Sequence, residues 1–187
     1  DGALQNTYTF KVTVVPAPSY YWGILAGSTA GTAGSANGTG TSATFSGPNG
    51  MVRDSLGNLY VADGSNSVIR KIDPVTAAVT TFAGTMGSPG IVNGTGTAAK
   101  FNRPCGLAID AQNNIYVADA SNFVIRKIDP SGVVTTFAGA GTAGSANGAV
   151  ASATFNSPTD MAITPTGVMY VADQVNHVIR KIENGQV

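Results

Sequence analysis

The chain has 187 residues, about one domain's worth, and its 10 basic residues balance its 10 acidic ones for a net charge of zero. Only 11% of residues are charged, whereas glycine is abundant at 24 residues. A neutral chain lacks the basic field that nucleic acid demands, no run approaches the roughly 20 apolar residues of a membrane-spanning helix, and a single cysteine (Cys105) and a single histidine (His177) exclude an internal disulfide and a multi-histidine metal centre.

The sequence starts at Asp1 with no charged-then-apolar leader, so it is expected to be processed, excised or part of a longer chain. Residues 7–15 alternate apolar and polar side chains through Tyr8, Phe10, Val12 and Val14, the pattern of a half-buried strand. Pro16-Ala17-Pro18 then reads as a stiff linker. Residues 1–18 are therefore set apart from residues 19–187, either as a domain remnant with its linker or as a strand that pairs with a neighbouring subunit. The segment resembles the last strand of an immunoglobulin-like domain, as found before repeats in bacterial surface proteins.

From residue 22 onward an internal repeat dominates. Tyr60-Val61-Ala62-Asp63 returns 56 residues later at Tyr116 and a further 54 later at Tyr170. Each copy leads through an Asn (Asn66, Asn122, Asn176) to Val-Ile-Arg-Lys-Ile, beginning at Val68, Val124 and Val178. Thr81-Phe82-Ala83-Gly84 and Thr136-Phe137-Ala138-Gly139 follow the first two copies, and Ile24-Leu25-Ala26-Gly27 is the same element near the start. A Gly/Ala/Ser/Thr-rich insert comes next, then a Phe and a Pro: Phe45 and Pro48, Phe101 and Pro104, Phe155 and Pro158.

The runs are short, rich in Val, Ile, Tyr and Thr, and bounded by Gly, Asn, Asp and Pro, which is strand rather than helix. In the middle unit the spacing predicts strands over 106–109, 115–118, 124–128 and 133–138. Four short antiparallel strands at this period make a propeller blade. The motifs resemble the NHL repeat, a β-propeller family, over residues 22–187. They run from Pro-x-Gly through Gly-Asn-Leu-Tyr-Val-Ala-Asp to Asn-x-Val-Ile-Arg-Lys-Ile. Asp160 departs from the pattern, standing where Gly50 and Gly106 stand. The resemblance implies an all-β fold of three blades, which is half or part of a ring.

Propellers have about four to eight blades. Residues 22–27 look like a fourth strand with no blade before it, and the last unit stops at Val187 before its own fourth strand. Bare edges are avoided by proteins. The expected partner is a second copy, giving two times three blades, or further blades of the same chain. Phe10, Val12, Val14, Trp22, Ile24 and Val187 are the candidate assembly residues, and strand sharing could extend to a filament.

Asp63, Asp119 and Asp173 recur with Arg70, Arg126 and Arg180. They read as ion ligands or as blade architecture, each Asp holding a turn or pairing with an Arg between blades. Recurrence in every unit favours architecture. On a strand, Arg70 and Lys71 point to opposite faces, so the Arg-Lys pairs make no single basic patch. The inserts lack the Gly-Lys-Ser/Thr ending of a phosphate loop. Asn37-Gly38-Thr39 and Asn93-Gly94-Thr95 fit the N-glycosylation pattern, which is frequent in such sequence. His177 and Cys105 lack an evident acid or base partner.

Positions that vary against the repeat fall in two loops expected on one face. They are Asn49, Cys105, Thr159 and Asp160 in one set, and Ser65, Ser67, Ser121, Phe123 and His177 in the other. Arg53 stands where Ile109 and Ile163 stand, the mark of a blade packed against something else. The expected function is a non-enzymatic extracellular or cell-surface module for binding or assembly. Its partners would be itself, other surface proteins or glycans, with no nucleic acid, membrane insertion, metal or cofactor. The alternative is part of a propeller lyase or hydrolase with a metal-centred channel.

Overall fold

The computed structural model describes residues 23–187. The readings placed on residues 1–18, including Phe10, Val12 and Val14, and on Trp22 lie outside the described residues. Blade 1 comprises β1 (Gly38–Thr39), β2 (Pro48–Arg53), β3 (Leu59–Asp63), β4 (Val68–Ile72) and β5 (Ala78–Ala83). Blade 2 repeats it with β6 (Gly94–Thr95), β7 (Pro104–Ile109), β8 (Ile115–Asp119), β9 (Val124–Ile128) and β10 (Val133–Ala138). Blade 3 has β11 (Pro158–Ile163), β12 (Met169–Asp173) and β13 (Val178–Ile182). The sheets are antiparallel, in the orders β1-β5-β4-β3-β2, β6-β10-β9-β8-β7 and β11-β12-β13. No described helix is long and apolar enough to cross a membrane.

Turn chemistry sets the registers. Asp54 Oδ1 accepts from the amides of Leu56 and Asn58, while Gly57 takes a positive φ of 96°. Asp110 builds the same turn in blade 2, and the Thr164 hydroxyl takes the role in blade 3 by accepting from the Val168 amide. The strands join Leu59 to Ile72 and Asp63 to Val68, and the pairing is repeated residue for residue in the other blades.

Two of the three core clusters lie between blades, and the third, of Ala43, Val61, Ile72 and Val79, lies within blade 1. Tyr60, Ile69 and Ala83 of blade 1 pack with Phe101, Leu107 and Val117 of blade 2. Tyr116, Ile125 and Ala138 of blade 2 pack with Phe155, Met161 and Val171 of blade 3. Glycine sets how close the inner strands come. A Cβ on Gly50 would lie 2.8 Å from the Gly106 Cα, and one on Gly106 would lie 2.6 Å from the Asp160 Cα. Asp160 is exposed, and among the described residues no inner strand packs against its far side.

Three sequence expectations need correction. Residues 23–27 form no strand, because among the described residues no third strand of a preceding blade lies beside them; Ile24 and Leu25 stay exposed. Val187 is not a free assembly edge. Its amide donates to the Gly148 carbonyl at 2.8 Å and its carbonyl accepts from the Gly148 amide at 3.3 Å. This repeats the pairing of Gly38 with Val79, so Gln186 and Val187 lie where the fourth strand opens in the other blades. Finally, the inserts are not wholly loop: in blades 1 and 2 each contributes a two-residue strand, β1 or β6, beside the fourth strand.

Candidate functional site

Each blade is locked by a buried ion pair. Arg70 donates to Asp63 Oδ2 at 2.9 Å, Arg126 to Asp119 at 3.2 Å and Arg180 to Asp173 at 3.1 Å. Both partners sit on adjacent strands of one blade, so the pair is not the contact between blades that the sequence suggested. The remaining lone pairs are used: Asp63 also accepts from the Ser46 amide and the Asn66 side chain. The guanidinium reaches back into the insert, donating to the carbonyls of Thr44 and Ala36 and to Asn37 Oδ1. Its carbon lies 5.1 Å over the Phe45 ring. Asn93 and Asn147 play the part of Asn37 in the other blades. Burial pushes the Asp119 carboxyl up to about 6, against the pull of the Asn102 amide, Asn122 and Arg126. Burial also lowers Arg126. These residues therefore hold insert to sheet and present no charge to solvent.

The variable residues divide. Asn49, Cys105, Thr159 and Asp160 come together where inner strands β2, β7 and β11 run side by side, in a cleft of about 580 Å³. Gly50 and Gly106 floor it. Arg103 and Gln174 complete it, and both were missed in the sequence. They vary by the same criterion that found the others: Arg103 aligns with Gly47 and Ser157, and Gln174 with Gly64 and Ala120. Cys105 Sγ lies 3.5 Å from the Arg103 carbonyl, and burial raises its pKa, which keeps it a thiol.

The second set stays outside this cleft. Ser65 and Ser121 donate their amides to the carbonyls of Ser46 and Asn102, which ties the loop between the second and third strands to the start of the inner strand. Ser67, Phe123 and His177 each close that loop in the left-handed region, with φ of 58°, 60° and 56°. Their shared task is a backbone turn. His177 is exposed and borders a shallow groove with Thr159, Val178 and Ile179. Among the described residues no three His, Cys, Asp or Glu side chains cluster as a metal-holding group.

No family model matches the chain. A curated bovine relative, NHL repeat-containing protein 2, is 38% identical over 154 residues, covering 75% of this chain and 21% of its own length. A solved structure of unknown function from Bacteroides thetaiotaomicron superposes with a TM-score of 0.67 at 29% identity, over 72% of this chain and 34% of that one. An auxiliary nutrient binding protein from Bacteroides ovatus gives a TM-score of 0.63 at 27% identity, over 71% of this chain and 36% of that one. The chain thus spans about a fifth of the length of that bovine relative. Repeated blades, repeated locks and these likenesses agree, and the chain belongs to the NHL-repeat β-propeller family.

Proposed function

We propose that the chain is a non-enzymatic binding module of an extracellular or cell-surface protein, whose inner-strand cleft takes a polyhydroxylated ligand such as a glycan. The observation that carries this reading is the convergence of repeat-breaking residues. Asn49, Arg103, Thr159, Asp160 and Gln174 share one cleft on a frame that otherwise repeats from blade to blade. Amide, guanidinium and carboxylate groups each offer two hydrogen-bonding positions, which suits neighbouring sugar hydroxyls. Repeat scaffolds build recognition surfaces from variable loops on one face. The likeness to a protein named for nutrient binding supports the same direction.

Calorimetric titration with a panel of soluble oligosaccharides tests the reading. Binding is expected, and Asp160→Ala or Asn49→Ala is expected to abolish it without lowering the melting temperature. No binding across the panel, or binding that both variants retain, overturns it. A tightly held metal at one ion per chain would instead speak for the lyase or hydrolase reading.

A further inference from the structure

The hairpin turns that follow the inner strands are bridged at one blade junction and unbridged at the next. Between blades 1 and 2, Asn113 reaches across to Ser55. The Ser55 amide donates to Asn113 Oδ1 at 3.0 Å, and Asn113 Nδ2 donates to the Ser55 hydroxyl at 2.9 Å. The counterparts between blades 2 and 3 are Gly167 and Ala111, which have no side chains to make the bridge. A Cβ on Gly167 would meet nothing within 4 Å. A pocket of about 390 Å³ occupies this junction, with Asp110, Ala111, Gln112, Ile163, Pro165 and Thr166 in its walls. Small-molecule sites span about 300–1,000 Å³. Both walls are paired hairpins, β7 with β8 and β11 with β12. The lengths of β7 and β11 separate the pocket from the cleft that holds Cys105 and Asp160.

The bridged junction shows which group the open one would take. There the space is filled by the carboxamide of Asn113. Here the Ala111 amide stands in the place of the Ser55 amide, as donor to a carbonyl oxygen. The Ala111 methyl replaces the Ser55 hydroxyl, so the group that meets it is a methyl rather than an NH2. Ile163 and Pro165 extend this apolar wall. Asp110 disfavours a carboxylate in the pocket. Burial acts to raise its carboxyl, but hydrogen bonds from Asn114, Gln112 and Tyr116 outweigh burial and hold it below its ordinary 3.8. Both its oxygens already accept two hydrogen bonds each, so it contributes charge rather than a free acceptor. Gln112 and Thr166 are exposed at the rim and offer an amide and a hydroxyl.

We infer that this pocket is a binding site for the acetamido group of an N-acetylated sugar. The carbonyl oxygen accepts from the Ala111 amide, and the methyl rests against Ala111 and Ile163. The N–H and the ring hydroxyls are met by Thr166 and Gln112. The site goes beyond the inner-strand cleft and does not depend on what that cleft binds.

Amide NMR titration of the chain with N-acetylglucosamine tests the inference. Shifts are expected at Ala111, Gln112 and Thr166. Glucose, which has the hydroxyls without the acetamido group, is expected to leave them in place. Ala111→Pro removes the amide donor at a position where blade 3 already carries Pro165, so the turn is expected to form. Ala111→Ser combined with Gly167→Asn rebuilds the bridge of the neighbouring junction. Gly167 has a φ of 86° and Asn113 one of 62°, a region that Asn tolerates. Both variants are expected to bind about tenfold more weakly or worse, with a melting temperature no lower than that of the parent chain. Asp160→Ala is expected to leave the response unchanged. The inference is overturned if N-acetylglucosamine moves none of these amides, or if glucose or acetylated lysine moves them equally. It is also overturned if either folded variant keeps the parent affinity, or if Asp160→Ala abolishes the response.

Discussion

Blades 2 and 3 are written in nearly the same letters and live in different surroundings. Tyr-Val-Ala-Asp and Val-Ile-Arg-Lys-Ile occur unchanged in both. In blade 2 every apolar member of these motifs is buried; in blade 3 Tyr170, Val178 and Ile179 are open. The difference teaches that a blade motif specifies hydrogen-bond pattern and turn geometry, while burial is supplied by the neighbour. That is the nearest-neighbour behaviour of a repeat array. In blade 2 the fourth strand β10 covers Ile125 and blade 3 covers Tyr116, whereas among the described residues Ile179 and Tyr170 have no such cover.

Chemical denaturation of matched variants can break or sharpen this contrast. The largest effect is expected from Arg126→Leu, which strips the buried Asp119 carboxyl of its ion-pair partner and the insert carbonyls of their donor, at about 3–5 kcal/mol. Arg180→Leu should cost less, because Arg180 borders a groove open along Val178 and Ile179; equal losses would refute the neighbour argument. Ile125→Ala should cost about 2–5 kcal/mol, against about 0.5 kcal/mol or less for Ile179→Ala in dilute solution. Gly106→Ala should cost about 1–3 kcal/mol, because its new Cβ meets the backbone of Asp160. The reverse substitution, Asp160→Gly, removes a carboxylate from the cleft and should lower ligand affinity, which ligand titration reads.

The smallest effect is a pH dependence. Burial, with the nearby carboxylates of Asp54 and Asp110, pushes the Tyr60 and Tyr116 hydroxyls up to about 12 from an ordinary 10.0. The folded state thus holds these protons more tightly than the unfolded chain does. Their contribution is complete below pH 10 and is lost as pH rises through about 12. Unfolding midpoints should fall across that window, and Tyr60→Phe with Tyr116→Phe should flatten the fall.

Most of the fold was legible because each repeat names its own turns: Asp54 and Asp110 close one hairpin, while Asp73 and Asp129 close the next. The locks were legible as architecture from recurrence, but not the reach of Arg70 into the insert, since Asn37 lies 33 residues away. Residues 23–27 misled for the opposite reason. They carry strand letters, but a strand exists only where an adjacent edge offers hydrogen bonds. At the inner-strand cleft, variation against the repeat pointed to Asn49, Thr159 and Asp160. Arg103 and Gln174 escaped notice because their aligned positions look like ordinary turn residues until the inner strands are brought side by side.

The reach of each arginine also defines where one unit ends and the next begins. Arg70 ties residues 36–44 to the strand that follows them, not to the strand that precedes them. A self-contained cassette therefore opens at an insert and closes at a fourth strand, and its first residues are Gly-rich rather than Pro-x-Gly. Duplication, deletion or transplantation of a blade should succeed when cut at Gly84 and Gly139, where the lock stays whole, and fail when cut at the prolines, where the guanidinium loses its carbonyls.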